Sequence, residues 1–136
     1  MKKKRNQRGF TLLELLTAIV IVGILASVAV SRVMEAKNRS HVAAAYTDID
    51  HIRKALAYYS VDYGIFPDAS YNSPEALAAV LVDPEGHDYV VRLTGHNFDS
   101  FTYSSIDNGN DYEIEVVACD HGGTTLIAGP DGSGVK

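Results

Sequence analysis

Apolar residues crowd the start of the chain and then settle into two different rhythms. From Phe10 to Val30 they form an almost unbroken block. Twenty-one helical residues rise roughly 32 Å, about the thickness of a bilayer's hydrocarbon core. Val42, Ala45, Ile49, Ile52, Leu56, Tyr59 and Tyr63 then recur at spacings of three and four, with Asp48, Asp50, Arg53 and Lys54 between them. That pattern predicts an amphipathic helix. A continuous helix from Phe10 to about Tyr63 would be roughly 80 Å long, so its first half must project while its second half packs. The alternative is two helices with a break near Ser31 or Ser40.

Gly64 followed by Pro67 suits a helix stop. Ser73, Pro74 and Glu75 fit the cap and first turn of a short helix running to about Leu81. From Asp88 the rhythm changes to period two. Tyr89–Leu93, Phe98–Ser105, Tyr112–Ala118 and Thr124–Ala128 read as strands rich in β-branched and aromatic residues. Asp107–Asp111 and His121–Gly123 supply turn residues between antiparallel neighbours. Residues 129–136 read as a glycine-rich tail. The expected organisation is therefore a leader over 1–9, a transmembrane helix over 10–30 and a globular domain over 31–136. Within that domain the helix reaches about 63, a loop and short helix cover 64–87, and the sheet covers 88–128. The fold class is α+β, a long N-terminal helix on a small antiparallel sheet.

Charge sharpens the picture. Lys2, Lys3, Lys4, Arg5 and Arg8 precede the apolar block, and without them the net charge falls from −5 to −10. The basic run before the span, against sparser Arg32, Lys37 and Arg39 after it, orients the N-terminus to the cytoplasm. So acidic a remainder is a poor nucleic-acid ligand. One cysteine, Cys119, leaves no internal disulfide; a buried strand thiol is its expected state. The histidines at 41, 51, 87, 96 and 121 lack metal-ligand spacing and read as surface residues. No phosphate loop or nucleophile elbow occurs, and no enzyme or cofactor is expected.

The apolar block has three readings. A secretory signal would be cut after Ser27-Val28-Ala29, releasing a binding domain, but its apolar core would carry Glu14. A plain anchor leaves Glu14 without a role beyond snorkelling and the helix dipole, although a carboxylate in a span costs roughly 3 kcal/mol. The third reading uses every residue from the basic run through Gly9-Phe10-Thr11-Leu12-Leu13-Glu14. That run resembles the processing site of type IV prepilins and of type II secretion pseudopilins.

The resemblance implies a pilin fold. It also implies cleavage after Gly9 by a prepilin peptidase, N-methylation of Phe10 by the same enzyme, and an assembly role for Glu14. Cleavage creates a positive amine on Phe10, and in a dry helix bundle that amine favours a nearby carboxylate. Glu14, at i+4 in its own chain, or on a neighbouring subunit, could supply it. Tyr59-x-x-Asp62-x-Gly64-x-Phe66-Pro67 resembles the turn after the long helix in this family. The family's kinking proline is replaced by Ser31.

The partners implied are identical or related pilin subunits, the peptidase, an inner-membrane assembly platform and the membrane itself. The chain would sit in the inner membrane with its N-terminus cytoplasmic, then in a periplasmic or surface filament. The leading expectation is a type IV pilus subunit, the alternative a type II secretion pseudopilin. Some major pseudopilins hold calcium near the C-terminal turns, which makes Asp107, Asp111 and Asp131 candidate ligands.

Overall fold

The computed structural model describes residues 9–90 and 95–136, which form two compact units, Met1–Ala36 and Lys37–Lys136. Helix α1 spans Leu12–Tyr63 and contributes to both. It is helical through Gly23, Ser31 and Ser40, so one helix forms and not two. In the first unit every described residue is exposed. The most apolar 18-residue window of the helix has a mean hydropathy of 2.5. Such a surface needs lipid or other helices around it.

In the second unit α1 buries Ala45, Ile49, Ile52 and Leu56 of the expected stripe together with Ala55, while Val42 and Tyr59 are half-buried and Tyr63 is exposed. They share one core with Tyr103, Tyr112, Ile114, Val116 and Leu126 of the sheet. Strands β1 (Phe98–Ile106), β2 (Asp111–Ala118), β3 (Thr125–Gly129) and β4 (Gly132–Val135) lie antiparallel in the order β1-β2-β3-β4. Along β2, Tyr112, Ile114, Val116 and Ala118 are buried while the residues between them are not, as period two requires. The fold is thus the expected α+β arrangement of an apolar N-terminal helix and an antiparallel sheet.

The segment after α1 shows why its residues are spaced as they are. Gly64 takes φ 77°, and its N–H donates to Ser60 O at 2.9 Å, closing the helix. Tyr59 stacks on Tyr63 with ring centroids 4.4 Å apart, and the Tyr89 hydroxyl donates to Asp62. Phe66 meets Tyr112 edge-on at 4.7 Å, and the Pro67 carbonyl accepts from the buried Tyr103 hydroxyl at 2.9 Å. The Asp107-Asn108-Gly109 turn has positive φ at all three residues. Its Gly109 carbonyl accepts from Phe66 N at 2.8 Å. A Cβ on Gly109 would lie 2.7 Å from the Phe66 carbonyl oxygen, so the approach itself requires glycine.

Four expectations change. Helix α1 begins at Leu12, because Thr11 caps it. The short helix α2 covers only Pro74–Ala78, capped by Ser73 Oγ accepting from Ala76 N at 3.1 Å. The chain leaves it so that Leu81 O can accept from Tyr89 N and Val82 can bridge Asp88. Tyr89 and Val90 are therefore not strand, and positions 91–93 of the expected strand lie outside the described residues. The glycine-rich tail, in turn, is strand β4.

The β2–β3 loop is closed by Asp120, whose carboxylate accepts from Thr124 N at 2.7 Å, Thr124 Oγ1 at 2.8 Å and Gly122 N at 3.3 Å. The Thr124 N–H is the first cause that holds its pKa below the ordinary aspartate range. A depressed carboxylate stabilises fully above its unfolded pKa, and that contribution is lost as pH falls through the folded value. The Thr124 amide resonance is therefore expected to shift with a midpoint below that of an ordinary aspartate. A midpoint at or above that value would show the loop bonds to be absent in solution.

Candidate functional site

Gly9 and Phe10 precede the helix and are exposed, Phe10 by 79%. Among the described residues no atom beyond the chain neighbours lies within 4 Å of where a Gly9 Cβ would stand. The basic run from Lys2 to Arg8 lies outside the described residues.

Thr11 is the N-cap: its Oγ1 accepts from Glu14 N at 3.2 Å, and its carbonyl accepts from Leu15 N at 3.3 Å. Thr11-Leu12-Leu13-Glu14 has the spacing of a capping box, a signal that the sequence itself carries. Glu14 thus stands in the first turn, where the helix's partial positive charge favours a carboxylate. Phe10 lies before the cap and not in the helix, so a helical i+4 relation to Glu14 does not exist in the uncut chain.

The other polar side chains of the span are already satisfied. Thr17 Oγ1 donates to Leu13 O at 2.8 Å, Ser27 Oγ to Ile24 O at 2.7 Å, and Ser31 Oγ to Ser27 O at 3.4 Å. Each hydroxyl is spent on its own helix, which lets it sit in hydrocarbon. Glu14 remains the one ionisable group between Phe10 and Ser31.

The three candidate calcium ligands in the C-terminal turns do not share one site. Asp111 and Asp131 line one open depression of about 440 Å³, but Asp107 does not line it. Asp107 is engaged by Asn110 Nδ2, and Asp111 Oδ1 accepts from Tyr112 N at 2.7 Å. Among the described residues no three His, Cys, Asp or Glu side chains gather as metal ligands. Four histidines are exposed and His41 is half-buried.

Cys119 lies just past β2 and is half-exposed, not a buried strand thiol. Burial first, then Asp99 and Asp120, push its pKa up, which disfavours the reactive thiolate.

Residues 4–30 match the family described as the prokaryotic N-terminal methylation motif. The type II secretion system core protein G of Escherichia coli (strain K12) is 34% identical over 140 aligned positions, covering 97% of this chain and 88% of that protein. The protein of the same name from Vibrio cholerae serotype O1 is 39% identical over 89 residues, 65% of this chain and 60% of that protein. The one from Aeromonas hydrophila is 41% identical over 80 residues, 54% of this chain and 56% of that protein. No solved structure matches. With an apolar N-terminal helix, an α+β domain and similarity along nearly its whole length, the chain belongs to the type II secretion system core protein G family, the pseudopilins.

Proposed function

We propose that the chain is a structural subunit of a type II secretion pseudopilus and catalyses no reaction itself. It enters the inner membrane with its N-terminus in the cytoplasm, is cut after Gly9 by a prepilin peptidase, and is methylated on Phe10. It then polymerises on an inner-membrane platform through the apolar helix, with Glu14 facing the Phe10 amine of a neighbouring subunit. The observation that carries this reading is the 34% identity to core protein G across 97% of the chain. The leader, the anchor and Glu14 are common to pili and pseudopili. Similarity over the domain is what favours secretion over the surface pilus expected first.

Intact-mass analysis of the protein from its native membrane should give a chain beginning at Phe10 with one added methyl group. A start at Met1 or at Val30 would overturn the processing step. Deleting the gene should abolish export of secreted proteins and leave surface fibres intact. Loss of fibres with normal export would restore the pilus reading.

A further inference from the structure

Strand β4 packs few side chains of its own, and its far end is tied by Lys136, whose N donates to Thr125 O at 3.0 Å and whose Nζ donates to Glu115 Oε2 at 2.6 Å. Its residues are Gly132, Ser133, Gly134 and Val135, two of them without a side chain to pack. It joins β3 through the two-residue turn Pro130-Asp131, closed by the Gly129↔Gly132 pair. Tight hairpins favour turns with positive φ at the first central position, because those match the twist of the strands. Proline fixes that φ near −65°, and Asp131 has no positive φ either. The turn is therefore of the kind that splays strands apart.

A side chain from α1 meets this turn. Arg53 Nε donates to Gly129 O at 2.9 Å, and Arg53 Nη2 donates to Pro130 O at 3.1 Å. The planar guanidinium spans two successive carbonyls, a geometry that a lysine ammonium cannot copy. Asp50 Oδ1, 3.7 Å from Arg53 Nη1, steadies the charge from the same helix. The arrangement also opposes a metal ion coordinated by those carbonyls, which would face a fixed positive charge.

We propose that Arg53 supplies from within the chain the cation that closes the β3–β4 hairpin, so that the domain keeps its edge strand without a divalent metal. This rests on the hairpin geometry alone and stands whether the filament exports proteins or forms surface fibres.

Hydrogen exchange on the full chain in detergent tests it. Wild-type protection of the β4 amides should be the same in chelator and in millimolar calcium. Arg53→Met should lower that protection by about tenfold or more, since charge-assisted bonds to two carbonyls are lost. Arg53→Lys should fall between, keeping the charge without the fork. A tenfold gain in wild-type protection on adding calcium would overturn the proposal, as would wild-type protection in Arg53→Met. If Arg53→Met does not fold, the calcium comparison on wild type and the Arg53→Lys variant decide it alone.

Discussion

Glu14→Ala is expected to leave the chain cut at Gly9, inserted and folded, while filament yield falls by well over tenfold. The substitution removes an acidic group from the start of a span, so insertion becomes easier, by at most about 3 kcal/mol, the cost of a charge at the helix centre. The helix start loses little, because the Thr11 hydroxyl still caps it. In an assembled bundle, however, the Phe10 amine of an adjacent subunit loses its carboxylate. Breaking a buried pair from one side typically costs about 3–5 kcal/mol, and every ~1.4 kcal/mol is a tenfold change in equilibrium.

Glu14→Gln separates charge from capping. Glutamine serves the third position of a capping box as glutamate does but carries no charge. It should fail in assembly as alanine does, whereas Glu14→Asp should be intermediate. Filament counts by electron microscopy, set against membrane levels by immunoblot, give the comparison. Normal filaments in Glu14→Gln would reduce Glu14 to a helix cap.

The second large effect belongs to the soluble unit. Tyr103 is 0% exposed, its ring lies 5.8 Å from both Tyr71 and Tyr112, and its hydroxyl holds the Pro67 carbonyl. One side chain therefore joins the middle of β1 to the turn that ends α1. Tyr103→Ala should cost about 3–5 kcal/mol through the cavity, a large share of a typical domain stability of ~5–15 kcal/mol. For a unit of this size the melting temperature should drop on the order of 15–25 °C. Tyr103→Phe keeps the ring and orphans one carbonyl, which costs about 1–2 kcal/mol. Circular dichroism melts of the full chain in detergent should rank wild type above Tyr103→Phe, and that well above Tyr103→Ala. Equal melts for the two variants would place the effect in the hydroxyl and not in the packing.

What the sequence made legible follows from which forces are local. Helix α1 and strands β1 to β3 announce themselves because each buries one periodic face, and period is visible in a single segment. Strand β4 does not, since Gly132-Ser133-Gly134 has neither alternation nor β propensity. Its pairing with β3 and the reach of Arg53 across the fold define it, and neither shows as a period in the segment itself. The end of α2 was misplaced for a similar reason: the bonds that draw Leu81 and Val82 toward Asp88 and Tyr89 come from beyond the helix. At the N-terminus the residues were legible and the cap was not, although the spacing of Thr11 and Glu14 carries it. Pilus and pseudopilus share that whole segment, so only similarity along the domain could weigh one against the other.

The strand order β1-β2-β3-β4 bears on how the chain acquires its shape. Within the sheet each strand pairs only with its neighbour in sequence, so each strand-to-strand closure spans a short loop, while the isolated Tyr71↔Tyr103 bridge joins β1 to a more distant segment. Loop-closure entropy within the sheet is then small at every step, and topologies rich in local contacts cross their folding barrier quickly. A domain carried across a membrane behind an N-terminal span, with the N-terminus left on the cytoplasmic side, can zip its sheet strand by strand as the chain emerges. It then exposes unpaired strand edges to its neighbours only briefly, which limits premature aggregation among crowded precursors.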